Sequence, residues 1–333
     1  MEHLVRFDSH SQLSEFVQDH GWPTLVESDL VRTQVDAHFQ LVDGNGTAKA
    51  RCSLWWKATP RYPNERVGLI GHYAAGNERS ARTLLDTVLE ELKRRGCTLA
   101  IGPMDGNTWE KYRFVTEIGD EPPFLLEPQN PPQWPQHFIA QGFHAFTRYH
   151  SSICEDLTDP DGFVAKFEQR LQRRGSIRIR RFDLNNAEAD LQAIHAISLE
   201  CFQRNFLHSP IPAQAFLQQS RKLLPFVDPR FFLLAEDEGC LAAYVFCVPN
   251  LLQKNNGHAP DTLVLKTLAA SARSRHVGLG SLLLARVHAA AAEHRYRRVI
   301  HALIHDENNS TRTSQRNKSR PFRAYTLYAR RFA

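Results

Sequence analysis

The chain has 333 residues, 42% of them hydrophobic, which is enough apolar material for a buried core in each of two ordinary domains. No window approaches the eighteen apolar residues of a membrane helix and MEHLVRFDSH lacks a signal peptide's apolar centre, which argues against an integral membrane protein and predicts a cytoplasmic one. The net charge of +5 is uneven: from Ser271 onward thirteen Lys/Arg stand against three Asp/Glu, leaving the rest near −5, so the basic end suggests a phosphate-rich cosubstrate, a nucleic acid or a plain solvated face.

In chain order, AHFQLVDGNGTAKARCSLWW (37–56) reads as a hairpin turned at Gly44-Asn45-Gly46, and VGLIGHY (67–73) as a further strand. Across RTLLDTVLEELKRRG, Leu84, Leu85, Val88, Leu89 and Leu92 keep helical spacing, and Gly96 stands where a C-terminal cap belongs. The strand CTLAIGP follows. EPPFLLEPQNPPQWPQ is too rich in proline for the interior of a regular element, and QHFIAQGF then reads as a short helix entering the strand FHAFTRYHSS.

The second half repeats this plan. After EDLTDPDG and a connecting helix come the strand SIRIRRFDL, the helix AEADLQAIHAISLECF, and a hairpin turned near Asp237-Glu238-Gly239. TLVLKTLAA (262–270) is the next strand. A glycine loop, a long Ala/Leu-rich helix and the strands RRVIHALIH and PFRAYTLYARRF complete it. The expected organisation is an α/β (α+β) chain of two similar domains, 1–153 and 176–333, joined by 154–175. Cys52, Cys97, Cys154, Cys201, Cys240 and Cys247 lack CxxC spacing, so neither a disulfide framework nor a metal site is expected.

The loop Arg275-His276-Val277-Gly278-Leu279-Gly280 lies between a strand and a helix, whose first amides are orphan donors pointing into it. Glycine at 278 and 280 removes Cβ atoms that would hold a phosphate away, and Arg275 adds a charged donor. A dinucleotide turn would read GxGxxG with a downstream acid, and a P-loop GxxxxGK[ST]; neither is present.

Arg-x-x-Gly-x-Gly, after the small apolar run Leu268-Ala269-Ala270 and before a leucine-rich helix, resembles the cofactor motif of the GNAT superfamily of acyl-CoA-dependent N-acyltransferases. The order of strands and helices matches from Ser176 to Phe332. The resemblance implies two GNAT-like domains, each a mixed, mostly antiparallel twisted sheet flanked by helices. It implies acetyl-CoA or another acyl-CoA as cosubstrate, with Leu268, Ala269 and Ala270 pairing to the pantetheine arm, Arg275 to Ser281 wrapping the pyrophosphate, and Asn309 (or Asn308) adding a contact. The first half also looks like a GNAT domain, but GNERSA (76–81) falls on the glycine loop and puts Arg79 and Ala81 where Gly278 and Gly280 stand. One competent copy, the C-terminal one, is what this pattern implies.

The family's usual glutamate before the loop is replaced by Lys266 and Thr267, and Gln315 or Arg316 stands near its usual tyrosine. By type, the candidates for base and acid are Glu236 at the hairpin end, Glu200 on the first helix, His305 at a strand end, and Tyr325 or Tyr328, which lie three apart and so face opposite sides of a strand. Asn205, Phe206 and His208 fall where the family forms an acceptor wall. The expected function is transfer of an acetyl or other acyl group to a primary amine of a small molecule or peptide. Two alternatives stand beside it: a silent acyl-CoA-binding module, and a transferase resembling the Fem type, which uses aminoacyl-tRNA. The intact loop argues against a nucleic-acid partner; no membrane partner is expected, and a homo-oligomer stays open.

Overall fold

The computed structural model describes residues 2–7, 22–158, 162–172, 177–256, 259–271 and 278–332. The first half runs β1 (His3–Phe7), α1 (Glu27–Arg32), β2 (Ala37–Val42), β3 (Ala48–Trp55), β4 (Val67–Ala75), α2 (Glu78–Arg94), β5 (Leu99–Gly102), β6 (Phe114–Glu117), α3 (Trp134–Ala140) and β7 (His144–Cys154). After α4 (Phe163–Gln172) the second runs β8 (Ile177–Arg181), α5 (Ala187–Phe202), α6 (Ala213–Arg221), β9 (Phe232–Asp237), β10 (Cys240–Pro249), β11 (Thr262–Ala270), α7 (Leu279–Glu293), β12 (Arg298–His305), α8 (Asn309–Arg316) and β13 (Arg320–Arg331).

The helices follow from the apolar spacing. In α2 the residues Leu84, Leu85, Val88, Leu89 and Leu92 are buried, Asn77 caps the start by accepting from Ser80 N at 2.9 Å, and Gly96 takes a left-handed φ of +77° after the end. Helix α3 begins at Trp134, two residues before the expected start, because Pro135 fits a first turn whose N–H has no helical partner anyway. Helix α7 is apolar nearly all round. Its outer face is covered by α4, where Phe167 and Leu171 join the same core and Glu168 pairs with Arg286 at 2.6 Å.

The strands lie in one sheet of order β1-β2-β3-β4-β5-β13-β7-β12-β11-β10-β9-β8, with β6 added on β13. From either edge the pattern is the same: four antiparallel strands, a parallel step to a fifth (β4 to β5, β11 to β12), then a strand from the other half. Strand β7, which ends the first half in sequence, lies between β12 and β13; β13, which ends the second, lies between β5 and β7. The halves therefore exchange their last strands. Their cores interlock as well: Leu207 of the second half packs with Leu25, Leu30 and Leu327, while Phe124 of the first packs with Ile153, Phe232 and Phe322. Between the halves, Arg323 and Glu127 pair at 2.7 Å with both side chains about 2% exposed.

Candidate active site

The parallel pairing of β11 with β12 covers only Thr262–Leu265 against Arg298–His301. Beyond it β11 continues to Ala270 paired with β10, and β12 continues to His305 paired with β7, so the two strands splay. The edge of β11 from Lys266 to Ala270 thus lacks a strand on its β12 side, an arrangement that an extended ligand can complete by backbone hydrogen bonds. At the splay the β10–β11 register slips: Phe246 opposes Thr267 and Cys247 opposes Leu265, leaving Lys266 as the extra residue of a bulge. A bulge re-aims its side chain, and Lys266 lines a cavity of about 820 Å³.

Both halves build that cavity. The second supplies Leu268, Asn205, Phe206, His208 and His305; the first supplies Trp109 and Tyr112 from the segment between β5 and β6, and Tyr149 from the exchanged β7. Trp109 is held there by its indole N–H, which donates to Ser209 O at 2.8 Å, and by an edge-to-face contact with Phe216. His305 Nε2 lies 2.7 Å from Thr147 Oγ1, and its Nδ1 accepts from Glu307 N at 3.3 Å, so the ring is a neutral tautomer with its proton on Nε2. Burial holds its proton affinity below the ordinary histidine value. Burial, and then the nearby Arg113 cation, push Lys266 down to about 8.

At the far end of β11, Gly278 takes φ +97° at the N-terminus of α7, and a Cβ there would come 2.8 Å from the Phe167 ring. Gly280 sits in the first turn, where a Cβ would meet the Ala270 Cβ at an ordinary 3.5 Å. Leu279 is buried in the core and Ser281 is half-buried beside it. Arg275, His276 and Val277 lie outside the described residues. Asn309 begins α8, and Asn308 lines the cavity.

The remaining expected residues do not converge on the cavity. Glu236 is bound to Arg180 at 2.6 Å, which also holds Asp190 at 2.6 Å, so it completes an ion-pair network at the β8–β9 edge. Tyr325 is fully buried between Ser151 Oγ (3.0 Å) and Glu127 Oε1 (2.8 Å). Tyr328 is packed with Phe114 and Phe138 in the first half's core. Burial raises the proton affinity of both phenols, which makes each a poorer acid. Glu200 accepts from Ser271 Oγ at 2.5 Å where β11 ends. Ala269 is buried in the core and Ala270 is exposed.

The first half has the same parallel step, Val67–Leu69 against Leu99–Ile101, but its splay is filled. Met104 N donates to Ile70 O at 2.9 Å and His72 N to Asp105 Oδ1 at 2.6 Å, while the Trp134 indole donates to Ala75 O at 3.0 Å. Gly71 permits this closure, since a Cβ there would lie 2.2 Å from Met104 O. The amide of Ser80 at the start of α2 is taken by Asn77. Main chain and an indole occupy the place that stands open in the second half.

Residues 191–313 match the acetyltransferase (GNAT) family. Among solved structures, the chain resembles a GCN5-related glucosamine N-acetyltransferase region of a fungal multi-domain GH3 β-N-acetylglucosaminidase (TM-score 0.54, 14% identity, 99% of this chain and 38% of that one). It resembles a tandem GNAT protein from the clavulanic acid biosynthesis pathway as well (TM-score 0.50, 12% identity, 99% and 98%). A bacterial ceramide synthase from Caulobacter vibrioides is 24% identical over 202 residues, covering 58% of this chain; the chain spans about half the length of that relative. The match to the GNAT family thus lies in the second half, and the whole chain has the fold of a tandem GNAT protein.

Proposed function

We propose that the chain is an N-acyltransferase with one donor site, in the second half, which takes an acyl-CoA and acylates a primary amine held in the two-sided cavity. The observation that carries this reading is the β11–β12 splay, which leaves the β12 side of Lys266–Ala270 without a strand beside a cavity lined by His305, and whose counterpart in the first half is filled. Leu268, Ala269 and Ala270 receive the pantetheine arm, and Gly278 to Ser281, with the loop from Arg275, receive the pyrophosphate at the start of α7. Asn309 adds a donor-side contact. The two-domain division, 1–153 and 176–333 about the connecting 154–175, belongs to this reading.

The thioester supplies an activated carbonyl carbon: the amine nitrogen bonds to it, the C–S bond breaks, and the amine loses one proton while the thiolate gains one. Positioning contributes much of the rate, and a proton acceptor about 10²–10⁴-fold. His305 is a neutral imidazole lining the cavity and is the proton acceptor in this reading; the Glu307 amide, donating to Nδ1 at 3.3 Å, sets its tautomer, so taking the amine proton at Nδ1 requires that long contact to yield. Asn205, Phe206 and His208 form the wall against which the acceptor lies.

Isothermal titration with CoA thioesters of increasing chain length, followed by thiol release with an amine panel, tests the reading. Likeness to a ceramide synthase supports including long-chain donors, since ceramide is an N-acylated long-chain amine. One thioester per chain and amine-dependent release, lost in His305→Ala with binding retained, is the expected result. Binding without release across the panel would support the silent acyl-CoA-binding module, and salt-sensitive tRNA binding without thioester affinity the aminoacyl-tRNA reading.

A further inference from the structure

Among the described residues, two cations have no counter-ion: Lys266, which lines the cavity along with the exposed Arg204, and Arg113, which lies behind the cavity's tyrosines. Arg113 is only 8% exposed; its guanidinium lies 4.0 Å from the ring centre of Tyr112 and 4.1 Å from that of Tyr149, both cavity-lining residues. Its Nε and Nη1 are buried and have no hydrogen-bond partner among the described residues. The backbone there is left-handed, φ +69°, a costly conformation for arginine, and is held by Arg113 N donating to Pro103 O at 2.9 Å. Lys266, at the bulge, makes no hydrogen bond or ion pair among the described residues, and the two like charges are near enough for Arg113 to disfavour the ammonium form of Lys266.

Buried donors are nearly always paired, and two adjacent unpaired cations raise each other's cost. Of the nearby carboxylates, Glu127 is held by Arg323 and Tyr325 and Asp306 by His150 at 2.7 Å, while Glu307 is exposed on the cavity wall beside His305. Around the two cations the wall is aromatic, with Trp109, Tyr112 and Tyr149. A tyrosine-flanked guanidinium offers a flat, geometrically fixed donor set suited to carboxylate or phosphate oxygens.

We propose that the acceptor carries an anionic group, a carboxylate or phosphate, which Arg113 and Lys266 receive while its apolar part lies against Trp109, Tyr112 and Tyr149. The inference rests on the acyl-transfer reading only in naming this ligand the acceptor. It makes the first half, which lacks an open donor cleft, a contributor to substrate selection through Arg113 and its aromatic neighbours.

The test uses the intact chain without CoA and three probes: N-acetylphenylalanine, N-acetylphenethylamine, which differs from it only in lacking the carboxylate, and phenyl phosphate. Titration calorimetry is expected to show N-acetylphenylalanine or phenyl phosphate binding at least about tenfold more tightly than N-acetylphenethylamine, with the preference shrinking as salt rises. The stronger of the two anions identifies the carboxylate or the phosphate as the acceptor's group. Arg113→Met and Lys266→Met should each reduce the preference about tenfold, and Lys266→Arg should retain it. Lys266 stands at the cavity edge, so its variants remain informative if Arg113→Met does not fold. Equal binding of the neutral probe, no binding of either anion, or a preference that survives Lys266→Met would overturn the proposal. Because no thioester is needed, a chain that binds the anions but transfers no acyl group refutes the acyltransferase reading alone.

Discussion

The indole N–H of Trp134 donates to the main-chain carbonyl of Ala75 at 3.0 Å, near the end of the first half's fourth strand. In the second half, the end of the equivalent strand β11 faces an open cleft; in the first, that space holds Trp134, Phe138 and the chain around Met104. Trp134→Ala removes a side chain only 3% exposed and should cost about 3–5 kcal/mol by urea unfolding. It should not create a second donor site, because Met104 and Asp105 still take the hydrogen bonds of β4. Calorimetric stoichiometry should stay at one thioester per chain, and a value of two would refute the closed-cleft account.

Gly278 and Gly280 separate backbone strain from ligand approach. Gly278→Ala forces a left-handed φ and pushes a Cβ to 2.8 Å from Phe167, so it should lower stability by about 1–2 kcal/mol as well as thioester affinity. At Gly280 the added Cβ has room, and alanine in a helix should leave stability unchanged or raise it by about 0.5–1 kcal/mol. Loss of acetyl-CoA affinity in Gly280→Ala with an unchanged melt would therefore report on the ligand itself. Gly280→Glu should abolish binding while Arg79→Ala leaves it intact; equal losses from both would remove the asymmetry between the halves.

The contrast between these glycines also shows what was legible beforehand. Gly278 and Gly280 could be read because a strand, a loop and a helix are contiguous in sequence, and the chemistry of a helix N-terminus needs only local residues. Periodicity likewise located α2, α5 and α7, whose apolar faces repeat locally. Trp109, Tyr112 and Tyr149 could not be read that way: they reach the second half's cavity through the loop after β5 and the exchange of β7, which no spacing encodes. Glu236, Tyr325 and Tyr328 suit the chemistry by type, and only the sheet register shows them committed to Arg180, Glu127 and the core.

His288 Nε2 and His301 Nε2 lie 3.3 Å apart, both buried, and His301 Nδ1 lies 2.9 Å from Ser314 Oγ, which links α7, β12 and α8 behind the cleft. Burial lowers His288 to about 4 and His301 to about 3, and each ring's neutrality suits the other. The unfolded chain takes up protons near 6.5 that the folded chain refuses, so this contribution is complete above that pH and is lost as pH falls towards 4. The loss should approach about 1.4 kcal/mol per pH unit for each histidine. His288→Gln keeps a polar partner for His301 without titrating, and urea midpoints measured from pH 7 to pH 4.5 should flatten by about one proton. An unchanged slope would place the acid-labile groups elsewhere.

The exchange of β7 and β13 makes the two halves one folding unit, and the tryptophans provide a probe for it. All five tryptophans, Trp22, Trp55, Trp56, Trp109 and Trp134, precede Cys154, so in a Trp109→Phe background, which removes the indole bonded to Ser209 O of the second half, intrinsic fluorescence reports on the first half. Leu283 lies in the second half's core on α7, fully buried, and Leu283→Ala should cost about 2–5 kcal/mol. If β13 is held between β5 and β7 as part of the common sheet, the first half cannot keep its fold when the second melts. The fluorescence midpoint in urea should then fall by the same amount as the far-ultraviolet circular dichroism midpoint, in a single transition. A fluorescence midpoint that stays at the value of that background would mean that the first half holds together without its borrowed strand, and that the shared cavity can come apart without unfolding.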